Sequence, residues 1–173
     1  MSKALFSDDA GFEAAATALV KEISAIMKEK GAWGACAESL TGGLLASEIV
    51  RVPGVSAWFG EGCVTYTDAA KARRLSVSPA LLEEYTAVSR PVARAMAEGE
   101  LAASHAQAAV STTGLAGPGP DELGREAGLV FIGGATGKGS VTRELHLKGS
   151  RLEIRRQAVI EALKLLLGLA KTL

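Results

Sequence analysis

Two hydroxyls, Ser39 and Thr41, stand directly before two glycines in Ala37-Glu38-Ser39-Leu40-Thr41-Gly42-Gly43. A phenol and an amine follow at Tyr66 and Lys71, and Thr113-Gly114-Leu115-Ala116-Gly117-Pro118 joins a third hydroxyl to glycine-rich backbone. Serine is a poor nucleophile until a neighbour takes its proton. Neither histidine is suited to that role, because His105 follows a helix end and His146 alternates with Leu145 and Leu147 on a strand. Lysine can serve if burial or a nearby cation lowers its pKa. Tyrosine can relay the proton or fix the serine. The first N–H groups of a helix opening at Gly42-Gly43 lack intrahelical partners and carry the positive end of its dipole. They would suit a developing oxyanion. The two glycines weaken that helix by roughly 1 kcal/mol each relative to alanine. Close approach of a ligand or of another backbone would explain them. The set points to acyl transfer or amide hydrolysis with no metal and no cofactor.

Each residue also has an ordinary structural reading. Ser39 or Thr41 can be a helix cap, Tyr66 a packing residue with a wet hydroxyl, and Lys71 a solvated surface cation. Arg151 and Arg155, at the start of the last helix, oppose its dipole. A phosphate between them and the loops would remove that penalty; solvent-facing arginines are the alternative.

The elements must bring these residues together. A first helix capped by Asp8 or Asp9 runs to about Lys30, with Phe12, Ala15, Ala16, Leu19, Ile23 and Met27 on one face. A short buried strand, Trp33 to Ala37, leads into the serine motif, and the next helix runs to about Val52. Gly62 to Thr65 reads as a second strand. Thr67 or Asp68 caps the short helix that carries Lys71, Ser78-Pro79 opens another, and Ser89 caps a longer one from Pro91 to about Ser104. Ala106 to Thr112 is a third strand, followed by a loop from Thr113 to about Ala127. Gly128 to Ala135 and Ser140 to Leu147 form an antiparallel hairpin, and a long helix starts near Leu152. Three strands separated by helices predict a parallel βαβ core. The hairpin makes the sheet mixed, and helices on both faces give an α/β/α sandwich in one domain over residues 1–173. Ligands of such sheets bind beyond the carboxyl ends of the parallel strands. Here those ends deliver Ser39 and Thr41, Tyr66 with Lys71, and Thr113 with its glycines.

Composition narrows the class. The chain of 173 residues is 48% hydrophobic with zero formal net charge, which gives no electrostatic footprint for nucleic acid or an anionic membrane. Met1 to Asp9 lacks a signal-peptide pattern, and the apolar segment Ala158 to Leu173 is too short and too charged to span a bilayer. Cys36 and Cys63 fit neither a disulfide framework nor a zinc site and read as buried free thiols. These features point to a soluble cytoplasmic protein.

Five motifs occur in order: Ala37-Glu38-Ser39-x-Thr41-Gly42-Gly43; Val64-Thr65-Tyr66 with Lys71; Ala87-Val88-Ser89; Thr113-Gly114-x-Ala116-Gly117-Pro118; and Gly149-x-Arg151 with Arg155. Together they resemble the CinA C-terminal family of nicotinamide-nucleotide amidohydrolases, in its stand-alone form. The resemblance implies a five-stranded mixed sheet in an α/β/α sandwich. It implies hydrolysis of nicotinamide mononucleotide to nicotinic acid mononucleotide and ammonia, as in pyridine nucleotide salvage. In that case Ser39 is the nucleophile, Lys71 and Tyr66 handle its proton, and Thr113 and Arg151 contact substrate, with Thr41, Gly42, Gly43, Gly114, Gly117 and Arg155 completing the binding site. The resemblance also implies a homo-oligomer, a dimer first, for which the apolar Val159 to Leu169 helix face would serve unless it is simply core. The chain departs from the family pattern at Leu40, where cysteine is common, along 117–128, where the usual run is richer in glycine and threonine, and at Ser150, where an acidic residue usually stands. A nucleotide-binding regulatory or stress-associated module without turnover is the alternative reading. Hydrolysis of another phosphorylated small molecule is a third.

Overall fold

A computed structural model of the chain describes Phe6 and residues 8–173. Most of the Met1 to Asp9 run, read for a signal peptide, lies outside the described residues. Among the described residues, five strands form one mixed sheet in the order β2-β1-β3-β4-β5. They are β1 (Gly34–Glu38), β2 (Phe59–Val64), β3 (Ala108–Gly114), β4 (Leu129–Thr136) and β5 (Gly139–His146). β1 pairs in parallel with β2 and β3, while β4 runs antiparallel to both β3 and β5. The carboxyl ends of β1, β2 and β3 therefore lie on one edge, as the βαβ reading requires.

Among the described residues, six α-helices cover the sheet: α1 (Asp9–Glu29), α2 (Leu44–Val50), α3 (Asp68–Leu75), α4 (Pro79–Tyr85), α5 (Arg90–Ser104) and α6 (Arg151–Thr172). α1, α2 and α6 pack on one face, and α3, α4 and α5 on the other. Phe12, Ala16, Val20, Ile23 and Met27 make the buried stripe of α1, at the spacing of one helix face. Val20 takes the central place that periodicity gives to Leu19. Asp8 caps this helix by accepting from Gly11 N–H at 2.7 Å. β1 is buried along its whole length, because a central strand is covered on both faces.

Three expectations change. β2 starts at Phe59 rather than Gly62; Gly60 and Gly62 hide the strand from a reading of side-chain pattern. The apolar face of α6 is filled by the chain's own core, with Val159, Leu163 and Leu166 fully buried against α1 and the sheet. That face is core and is not left over for a second subunit. Among the described residues, no helix is long and apolar enough to cross a membrane. Cys36 is buried as expected, whereas Cys63 is only partly buried; both are free thiols.

Candidate active site

The three parallel strand ends open into a pocket of about 330 Å³. Ser39, Leu40, Tyr66 and Lys71 line one side, Ala87, Val88 and Thr113 another, and Gly114 to Asp121 with Arg151 form the rim.

Ser39 follows the last residue of β1, and its N–H still donates to Thr112 O across the ladder at 2.9 Å. The nucleophile candidate is thus held by the sheet itself. Lys71 reaches it from α3, whose first turn is capped by the Thr67 hydroxyl. Lys71 Nζ is 3.1 Å from Ser39 Oγ, 3.0 Å from Thr65 O and 3.4 Å from Tyr66 O. Its side chain is 1% exposed and, among the described residues, meets no carboxylate within ion-pair distance. Burial pulls its pKa below the usual lysine range, while the more distant Asp68 charge opposes the shift. A neutral amine has two N–H bonds and one lone pair. With the N–H bonds given to the two carbonyls, the lone pair is left for the serine proton.

The turn after Ser39 corrects the expectation placed on its glycines. Gly42 and Gly43 have φ of +58° and +93°, and this left-handed backbone is what requires glycine. A Cβ on Gly43 would meet nothing closer than Val64 Cγ2 at 3.7 Å. Their amides are also occupied: Gly42 N–H donates to Ser39 O at 3.1 Å and Gly43 N–H to Glu38 Oε2 at 3.0 Å. Glu38 is the functional residue that motif and spacing do not single out. It is 0% exposed, and it also accepts from Leu45 and Ala46 N–H at 3.0 and 2.9 Å. Three donors and the positive end of α2 offset the cost of burying this carboxylate. A carboxylate just ahead of a helix start is the signal that could have found it.

Two amides remain. Among the described residues, the N–H groups of Leu40 and Thr41 donate to no protein acceptor. The carbonyls of Leu40 and Thr41 accept from Arg155 Nε and Nη2 at 3.1 and 2.7 Å. In a trans peptide the N–H points opposite the C=O. Leu40 N–H therefore points away from the Ser39 carbonyl that Gly42 occupies, and Thr41 N–H away from the Leu40 carbonyl that Arg155 occupies.

Other expected contacts are redistributed. Arg155 is spent on the turn after Ser39 and does not face the pocket as a free cation. The Thr41 hydroxyl pairs with the Thr112 hydroxyl at 2.7 Å and is fully buried. The Thr113 hydroxyl donates to Ala87 O at 2.7 Å and so fixes the pocket wall. Tyr66 is 58% exposed, and its phenolic oxygen accepts from Arg151 Nη2 at 3.2 Å, with no bond to Ser39 or Lys71. Arg151 also donates to Gly117 O. The rim loop is closed at its base by Leu115 N–H to Leu129 O at 2.9 Å and Gly128 N–H to Leu115 O at 2.7 Å.

Thiol chemistry is disfavoured. Burial, and then the Glu38 charge, push Cys36 far above its usual range. Burial and the hydrogen bond to Glu100 push Cys63 up to about 12. Among the described residues, no group of three or more His, Cys, Asp or Glu is placed to hold a metal ion.

The chain matches a known family across nearly its whole length. The family model of the CinA C-terminal domain matches residues 16–170, and the chain belongs to that family. It is 45% identical to the nicotinamide-nucleotide amidohydrolase PncC of Enterobacter agglomerans over 144 residues, covering 83% of this chain and 88% of that relative. A relative from Clostridium botulinum (strain Okra / Type B1) that carries a competence-damage inducible name is 42% identical over 150 residues. Those residues make up 87% of this chain but only 37% of that relative. The crystal structure of the competence/damage inducible protein CihA from Agrobacterium tumefaciens superposes with a TM-score of 0.86 at 36% identity, covering 90% of this chain and 95% of that one.

Proposed function

We propose that the protein is a nicotinamide-nucleotide amidohydrolase that uses Ser39 as nucleophile and Lys71 as general base. The observation that carries this reading is Lys71 Nζ, buried and 3.1 Å from Ser39 Oγ, with its other contacts made to backbone carbonyls. Likeness to the PncC amidohydrolase supports the substrate class.

Neutral Lys71 takes the Ser39 proton as Oγ attacks the carboxamide carbon. The oxyanion that forms is met by the N–H group of Leu40, which lines the pocket beside Ser39. Lys71, now an ammonium, returns the proton to the departing nitrogen, and ammonia leaves. The remaining acyl ester is attacked by water, whose proton passes to Lys71 and back to Ser39. The net reaction consumes one water and yields one carboxylic acid and one ammonia. Arg151 and the Tyr66 phenol, at the pocket mouth, suit the nucleotide's phosphate.

Ammonia release from nicotinamide mononucleotide, measured beside a Ser39→Ala variant, tests this reading. Wild-type release with none from the variant is expected. Equal background from both overturns it. Nucleotide binding by calorimetry without ammonia release would instead establish the non-catalytic alternative that the unusual 117–128 run suggests.

A further inference from the structure

Two walls of the pocket come from distant parts of the chain. Ala87 and Val88 belong to the connection between α4 and α5, and Gly117 to Asp121 belong to the rim loop. One side chain that does not itself line the pocket joins them. Arg125 Nε and Nη2 donate to Asp121 Oδ2 at 2.7 and 2.6 Å, and Nη1 donates to Thr86 Oγ1 and Val88 O, both at 2.9 Å. Asp121 Oδ1 accepts from the N–H groups of Leu123 and Arg125 at 3.1 and 2.8 Å, and Asp121 N–H donates to Arg125 O at 3.0 Å. The guanidinium is thus a fork with one side in the rim and the other in the facing wall. The wall needs holding: Thr86, a β-branched residue, sits at φ +62°, where such residues are strained.

We propose that Arg125 is a positioning residue that holds the rim loop against the Ala87–Val88 wall and so determines how tightly the pocket grips the nucleotide. The assignment rests on the amidase reading of this pocket. The Ser39–Lys71 dyad lies at the end of β1 and on α3, with neither of which Arg125 shares a hydrogen bond, so its loss acts on binding rather than on chemistry. The Asp121 carboxyl is held below the usual carboxylate range chiefly by its hydrogen bond to Arg125, in keeping with a standing pair.

The test compares wild type with Arg125→Ala, Arg125→Lys and Asp121→Asn in the full chain. Arg125→Ala is expected to raise KM for nicotinamide mononucleotide about tenfold while kcat changes by less than about twofold. Backbone hydrogen exchange is expected to quicken together at 86–88 and 117–124. Lysine offers a point charge that cannot span both partners, so Arg125→Lys is expected to restore only part of the loss. Asp121→Asn keeps the bonds to Thr86 and Val88 and is expected to give a smaller change in the same direction; it also serves if Arg125→Ala fails to fold. Unchanged KM, or a fall in kcat at constant KM, overturns the proposal, as does exchange that quickens in the rim alone. The same variants made on Ser39→Ala and titrated with the nucleotide by calorimetry separate the two readings. About tenfold weaker binding, without ammonia release from the wild type, would uphold Arg125 and remove the amidase assignment.

Discussion

The nucleophile turn and the rim loop face each other across one pocket and are held in opposite ways. Residues 39–43 are fixed by groups from three separate elements: Glu38 at the end of β1, Thr112 O on β3 and Arg155 on α6. The loop from 115 to 128 is fixed chiefly by itself, through Asp121 and Arg125, with one fork reaching the opposite wall and Arg151 of α6 donating to Gly117 O. The turn cannot shift without disturbing the sheet, whereas the rim can shift only together with the wall to which Arg125 ties it. The proposed function thus puts chemistry on the rigid part and selection on the adjustable part. Damage to the turn should therefore appear in kcat and global stability, and damage to the rim in KM and local exchange.

The largest effect that would test this division is at Lys71. Lys71→Ala should lower kcat by about 10²–10⁴, the range for losing a general base, with little change in nucleotide binding. Full activity in this variant would remove the dyad from the comparison. Activity also carries a pH signature. The base works only when neutral, so kcat/KM should rise with pH through a pKa below the usual lysine range. Stability should follow the same group. The unfolded chain keeps the lysine proton up to about 10.4, while the folded chain releases it earlier. Between those values the unfolded state binds the extra proton, so raising the pH favours the fold. Chemical denaturation across that window should show wild type gaining on Lys71→Met as pH rises.

Next comes Glu38. Glu38→Ala leaves the amides of Gly43, Leu45 and Ala46 without their acceptor and should cost about 2–4 kcal/mol of global stability, read from urea unfolding. A loss confined to activity, with stability unchanged, would mean that the turn is not anchored through the sheet. Smallest is Arg155→Ala, which should reduce kcat about tenfold by letting the Leu40 and Thr41 peptides turn, while KM changes less. A pure KM effect would place Arg155 with the substrate and blur the division.

The two regions also differ in how far they can be read from the sequence. The layers, the parallel part of the sheet and the helix caps at Asp8, Thr67 and Ser89 follow from periodicity and capping residues. Ser39 and Lys71 stand out because a hydroxyl and an amine recur at converging strand ends. Glu38 stands out less: its one sign is a carboxylate just ahead of a helix start, and its role depends on a side chain turning back onto α2. The glycines at 42 and 43 are conspicuous but point the wrong way: the left-handed backbone that needs them also directs their amides into the turn. Arg125 is illegible in the sequence, since its two wall partners lie 37 and 39 residues away and nothing local marks them.

The bonds that join Leu115 to Gly128 and Leu129 give the rim loop a neck. Everything between these residues is topologically a detachable cassette, closed off at its base. Its length can vary at small cost, since each doubling of a flexible loop adds only about 0.6 kcal/mol. The β3–β4 register below the neck, from Gly114 opposite Val130 down to Ala108 opposite Thr136, is independent of what the cassette contains. A change confined to this loop would therefore reshape the pocket mouth and leave Ser39 and Lys71 where they stand.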